Sequence, residues 1–178
     1  MSRVGKQPVV LPEGVKGSVQ GQIVSVEGPK GKLQCKVPMG VAVQVADGKV
    51  TVSIKGTDLQ SKADYGTARA HINNMAQGVS KGWKRALELN GVGFVAKHQG
   101  TNLVLSVGFS HDVTLAIPSE IKCVITKNIV ELESVNKEVL GTFAAKMRDV
   151  QPPEPYLGKG IKYTDEIVRR KAGKTGKK

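Results

Sequence analysis

Leu11-Pro12, Val15-Lys16, Ile23-Val24 and Val26-Glu27 recur later in the chain, in the same order and spacing, as Ile117-Pro118, Ile121-Lys122, Ile129-Val130 and Leu132-Glu133. Matched apolar, proline and lysine positions from Leu11 to Glu27 predict a duplicated architecture, in which one supersecondary unit is built twice. Each half also holds one helical pattern. Ala68, Ile72, Met75, Ala76 and Val79 recur at spacings of three and four and form one apolar face, with Arg69, Asn73 and Asn74 looking outward. Val139, Leu140, Phe143, Ala144 and Met147 repeat that pattern in the second half.

Around the helices lie strand-like alternations: residues 22–27, 32–37, 41–45 and 49–54, then 86–97, 102–109, 113–117 and 121–126. Ala46-Asp47-Gly48 and Gln99-Gly100-Thr101-Asn102 read as hairpin turns, because Asp-Gly and glycine steps supply the positive φ these turns need. The fold class is therefore α+β. Two tandem modules are expected, each a mostly antiparallel sheet covered on one face by one helix, followed by a basic C-terminal arm. The boundaries fall at residues 1–81, 82–152 and 153–178, with the junction near Ser80 to Gly82.

Hydrophobic residues make up 39% of the chain and aromatic residues 4%, so the cores must be aliphatic. No stretch approaches the roughly 18 apolar residues that span a bilayer, and the start, MSRVGKQP, has no apolar region suited to a signal peptide. No membrane partner is expected. Cys35 and Cys123 each sit inside an apolar alternation, which reads as core packing in a reducing compartment.

Charge is unevenly distributed. Residues 1–85 carry a net +8, residues 86–154 a net −2, and residues 155–178 a net +6 from eight basic and two acidic side chains. Pro152, Pro153 and Pro155 stop the preceding helix, because proline lacks an amide donor and fixes its own φ. The chain is expected to leave the folded body there as a positive arm suited to a polyanion, and nucleic acid rewards positive charge through counterion release. Tyr156 and Tyr163 offer rings that can stack on bases, and Gly158 and Gly160 allow close backbone approach to a phosphate. Lys81, Lys84 and Arg85 add a basic cluster at the junction.

Other chemistry is sought and not found. Gly173-Lys174-Thr175 could close a phosphate loop, but Val168 stands where that motif requires glycine. Gly91-Val92-Gly93 opens like a dinucleotide fingerprint, yet Ala96 takes the third glycine position and no βαβ pattern surrounds it. His71, His98 and His111 are widely separated and neither cysteine belongs to a Cys-x-x-Cys pair, so no metal site is expected. Glu131 and Glu133 share one strand face without a partner motif and read as solvated. No catalytic residue and no cofactor are assigned; the chain is not expected to be an enzyme.

Several segments resemble the bacterial-type large ribosomal subunit protein six family, nearly end to end. They are Met1-Ser2-Arg3-Val4-Gly5-Lys6, Gly66-Thr67-Ala68-Arg69-Ala70 with Asn74-Met75, Gly91-Val92-Gly93-Phe94, and Gly108-Phe109-Ser110-His111. Pro153-Glu154-Pro155-Tyr156 and Gly158-Lys159-Gly160-Ile161-Lys162-Tyr163 resemble the family's C-terminal signature. The resemblance implies a duplicated sheet-plus-helix fold and a place in the large subunit of a cytoplasmic ribosome, with an organellar ribosome as the variant. It implies 23S rRNA as partner near the sarcin-ricin loop and the factor-docking region, with neighbouring large-subunit proteins and transient translation-factor contact. The rRNA-binding residues would be Tyr156, Gly158, Lys159, Gly160, Lys162, Tyr163, Arg169, Arg170, Lys171 and Lys174, to which the charge of the junction cluster adds Lys84 and Arg85. Gln151 and Leu157 depart from the pattern, standing where basic residues are common.

The arm is expected to track phosphates and 2′-hydroxyls by shape, since double-helical RNA hides its base edges in a deep groove. Deleting residues 155–178 is then expected to leave both modules folded and to weaken rRNA binding. A free-standing RNA-binding regulator or RNA chaperone is the alternative, distinguished by whether the chain stays with the large subunit through moderate salt.

Overall fold

A computed structural model describes residues 5–46, 48–56 and 58–173. Asp47 of the first predicted turn and Lys174 of the predicted RNA-binding set lie outside the described residues. The chain forms two compact units: residues up to Trp83 together with Val135–Lys137, and Lys84–Ser134 together with the chain from Glu138 on.

The first unit contains strands β1 (Val9–Val10), β2 (Lys16–Gln20), β3 (Ile23–Gly28), β4 (Gly31–Lys36), β5 (Val41–Ala46) and β6 (Lys49–Ile54), then helix α1 (Leu59–Lys81). They build two antiparallel three-stranded sheets, β1-β6-β5 and β2-β3-β4, where a single sheet was expected. Every second residue of a strand faces the same way, so Val24 and Val26 of β3 and Val50 and Val52 of β6 point into one core. Ile72, Ala76 and Val79 of α1 meet them there, on the apolar face that the helical spacing predicts. At about 1.5–3 kcal/mol per fully buried aliphatic side chain, this stripe holds the helix down. The helix ends where Gly82, at φ +77°, turns its amide back to the Gly78 carbonyl at 2.9 Å.

The second unit takes up β7 (Trp83–Asn90) from its second residue, Lys84, and contains β8 (Val95–Gln99), β9 (Asn102–Ser106), β10 (Val113–Ala116), β11 (Ile121–Thr126) and β12 (Ile129–Ser134). Helix α2 (Lys137–Val150) and strand β13 (Gly160–Tyr163) follow. Its sheets are β10-β9-β8 and β11-β12-β7-β13. Leu87, Leu89, Leu103, Leu105, Val130 and Leu132 are buried on the strands and Leu140, Phe143, Ala144 and Met147 on α2; Val139, assigned to the same helical face, is only half-buried.

The fold is duplicated, but not in the register that the match of Leu11 to Ile117 predicts. That match lays the β2-β3 hairpin on β11-β12, whereas the sheet orders pair β2-β3-β4 with β8-β9-β10 and β1-β6-β5 with β7-β12-β11. β2, which begins at Lys16, therefore corresponds to β8, which begins at Val95. β5, beginning at Val41, corresponds to β11, beginning at Ile121. Local geometry follows this register. Gly14 and Gly93 have φ of +78° and +80°, and Gly21 and Gly100 have φ of +62° and +61°. The β5-β6 hairpin runs from Val41↔Ile54 to Ala46↔Lys49, and β11-β12 from Ile121↔Ser134 to Thr126↔Ile129, in identical register.

The false register has a physical cause. An apolar-Pro-x-x-apolar turn occurs three times, at 11–15, 37–41 and 117–121. In each, the last residue's amide donates to the proline carbonyl, at 3.1, 3.1 and 2.9 Å, and a strand follows. A sequence comparison matches any two copies of this turn, whichever sheet the strand then joins.

Two further expectations are corrected. Residues 86–97 are not one strand, because Phe94 donates its amide to the Gly91 carbonyl (3.3 Å) and this turn separates β7 from β8. Nor does the chain leave the folded body after the prolines. β13 pairs antiparallel with β7, from Gly160↔Asn90 to Tyr163↔Leu87, and Ile161 is 0% exposed. Cys35 and Cys123 are half-buried and not joined in a disulfide, and burial pushes the Cys123 thiol above its ordinary pKa.

Candidate nucleic-acid interface

β13 exists because Ile161 is apolar, and the prolines before it deliver the chain to the exposed edge of β7. The Ile161 amide donates to the Gln151 carbonyl at 2.7 Å, so residues 151–161 close a loop on themselves. Inside that loop Glu154 donates to the Lys159 carbonyl at 2.8 Å. A Cβ on Gly160 would stand 2.6 Å from the Pro152 carbonyl oxygen and Pro153 Cα, and its φ of +135° is one that only glycine adopts easily. Gly158 and Gly160 are both buried. They permit the turn and its packing, and the phosphate approach expected of them is closed on that side.

Beyond β13 the chain is clamped again. Arg148, in the last turn of α2, grips Glu166 with two parallel hydrogen bonds, Nε to Oε2 at 2.9 Å and Nη2 to Oε1 at 2.6 Å. The Tyr163 amide donates to the same carboxylate at 3.2 Å. These bonds hold the Glu166 carboxyl below the usual carboxylate range, the Arg148 hydrogen bonds being the main cause, and raise the Arg148 guanidinium in turn. Lys162 pairs with Glu88 (3.2 Å) directly across the β13-β7 register. Arg85 bonds Asp165 (3.0 Å), and its guanidinium lies 5.6 Å from the centre of the Tyr163 ring.

The predicted site residues thus divide. Arg85, Lys162 and Tyr163 are engaged in fastening β13 and its continuation. Lys84 and Arg85 line a cavity of about 480 Å³ with Lys122, but Glu131, Glu133 and Asp165 line it too. Three cations facing three carboxylates make no strong attractor for an anion. Lys122 is the cation that sequence reasoning missed, and only its place on the outer face of β11 connects it with the other two.

The remaining cations converge. The Lys171 amide donates to the Pro155 carbonyl at 2.8 Å, which lays residues 169–171 beside the 154–159 turn, and the Arg170 guanidinium rests against Gly158. Lys159, Arg169, Arg170 and Lys171 are all exposed, and so is Tyr156 on the same turn. Four exposed cations thus lie on a stapled loop or on the backbone held beside it. Leu157, 65% exposed on the same turn, lends no charge to it. Among the described residues, no group of three or more His, Cys, Asp or Glu side chains could hold a metal ion. No helix among them is long and apolar enough to cross a membrane.

Comparison with known proteins gives the same picture of a double structure. The family model described as ribosomal protein L6 matches twice, over residues 11–82 and 90–164. The starts of those two matches, laid on each other, bring Lys16 onto Val95, the first residues of β2 and β8. The large ribosomal subunit protein uL6 of Acaryochloris marina is 46% identical over 179 residues, covering 100% of both chains. That of Synechococcus sp. strain RCC307 is 47% identical with the same coverage, and that of Rhodopseudomonas palustris strain BisA53 is 46% identical over 98% of this chain and 99% of its own. The duplicated modules, the returning strand and the likeness along the whole length lead to one conclusion: this chain belongs to the ribosomal protein L6 family, whose members are structural proteins of the ribosome and not enzymes.

Proposed function

We propose that this chain is a structural constituent of the large ribosomal subunit that binds 23S rRNA through its second module and C-terminal arm. Its place would be near the sarcin-ricin loop and the region where translation factors dock. The observation that carries the reading is the convergence of Lys159, Arg169, Arg170 and Lys171 on a loop stapled at Gln151–Ile161 and Pro155–Lys171. A floppy tail would lose conformational entropy on binding, at roughly 1–2 kcal/mol per backbone residue fixed. Here much of that ordering accompanies folding of the second unit, so phosphate contacts by these side chains retain more of their free energy. Lys174 continues the same basic run. Neighbouring large-subunit proteins are the expected protein partners, and the ribosome places the chain in the cytoplasm.

The test cannot be deletion of residues 155–178, because that removes β13 and the buried Ile161 along with the charge. Replacing Lys159, Arg169, Arg170 and Lys171 together by alanine leaves β13 in place. Against a large-subunit rRNA transcript, the affinity should fall, and the slope of log affinity against log salt should shrink by about 3 to 3.5. An unchanged slope would show that these side chains neutralise no phosphates.

A further inference from the structure

The two modules differ at one connection in a way that folding does not require. In the first, β3 passes to β4 through Pro29-Lys30, a two-residue turn closed by Gly28↔Gly31. In the second, the corresponding β9 and β10 are joined by residues 107–112, which include Phe109 and His111. The two rings stack on each other, with centroids 6.1 Å apart and planes inclined by 19°. Phe109 is 47% exposed. The chain has only three phenylalanines, so leaving one at the surface, stacked on an exposed histidine, sets this corner apart from ordinary surface apolarity. Phe94 packs beside the loop, its ring 2.8 Å from where a Cβ on Gly91 would be and 3.5 Å from where one on Gly108 would be. Exposed Val92 and Val95 flank it, Val95 standing opposite Ser106 at the foot of the loop.

The geometry points to the Phe109–His111 pair as a stacking platform for one unpaired nucleobase of the rRNA, separate from the cations of the arm. The inference rests on the RNA-binding reading above and adds to it a contact of different chemistry. A stacked, exposed pair suits a base, because every base has a π-face and stacking on it leaves the edge nitrogens of the His111 imidazole in water. The scaffold already folds with a two-residue turn at this position in the first module, so the longer loop is an addition to the duplicated fold.

Stacking and phosphate neutralisation leave different signatures. In the full-length chain, Phe109→Ala and Phe109→Leu should each weaken binding to a large-subunit rRNA transcript on the order of tenfold. The salt slope should stay at its wild-type value, and Phe109→Trp should restore affinity. His111→Ala should cost less, since it removes the support and not the platform. Because Phe109 is exposed, all four variants should melt with the wild type. If the wild-type chain binds the transcript and Phe109→Leu binds it equally well, this inference alone is overturned. Normal transcript binding by Phe109→Leu with poor incorporation into subunits would likewise overturn it, assigning the pair to a neighbouring protein. Failure of the wild-type chain to bind at all overturns this inference and the rRNA-binding reading together.

Discussion

With β2 laid on β8 and β5 on β11, the two modules share strand order, hairpin register and even glycine dihedrals, and two of their differences bear on the surface of the second. The second module adds β13 to the outer edge of β7, and it lengthens the β9-β10 connection. In the first module the strand equivalent to β7 is only Val9–Val10. Both additions lie at edges and loops, where a sheet accepts change without disturbing its core. After duplication, then, the core was kept and the periphery diverged. The peripheral additions carry the four converging cations and the exposed aromatic pair, and the first module has neither β13 nor the longer loop.

The largest expected effect comes from asking whether β13 is integral to the second module. Ile161→Ala should destabilise it by about 3 kcal/mol, the usual cost of emptying a buried isoleucine site. Native-state hydrogen exchange would show the loss at Leu89 and Leu132 and spare Val24 and Val50 of the first module. Equal protection in variant and wild type would reduce β13 to a decoration.

A smaller effect separates the modules by pH. Glu166 has a lowered folded pKa, so its bond to Arg148 stabilises above the ordinary carboxylate value and is lost as pH falls through the folded value. The two side chains are 24–29% exposed, which discounts the contribution to about 1 kcal/mol. Glu166→Gln should remove that part of the acid sensitivity in the second module below roughly pH 4.5 and leave the first unchanged. A variant with the same pH profile as wild type would mean the clamp does not couple to folding.

The smallest effect tests the equivalence itself. Gly14 and Gly93 share a left-handed φ, and a Cβ at either would meet nothing within 4 Å. Alanine at each should cost about 1 kcal/mol from backbone strain alone. Two costs differing by more than about 0.5 kcal/mol in chemical denaturation, the usual scatter of surface substitutions, would break the correspondence between the modules.

Both helices, most strands and the aliphatic core were legible from periodicity, because a 3.6- or 2-residue repeat of apolar side chains is a local record of which face is buried. The turn at Gly100 was legible for the same reason, since positive φ is a demand met at one residue. The Gly91–Phe94 turn was not, because apolar residues continue across it. Of the site, the basic residues of the arm were readable as charge, whereas their division into fasteners and converging cations was not. Arg85, Lys162 and Lys159 look alike in sequence. Asp165 and Glu88 engage the first two, and each of these pairs joins β7 to the end of the chain, with β8 through α2 lying between the partners in sequence.

What the sequence determined unaided was therefore everything encoded by neighbours: an α+β chain, its amphipathic helices, its duplicated character and its basic C-terminus. Only the tertiary structure decided the register of the duplication, because a recurring Pro-x-x turn is identical locally and differs only in which sheet its strand joins. It alone decided that GIKY is a strand on a sheet, with Ile161 in the core, and not an arm in solvent. Pairing with β7 is a long-range bond between backbones, and backbone hydrogen bonds carry no mark in the side-chain alphabet.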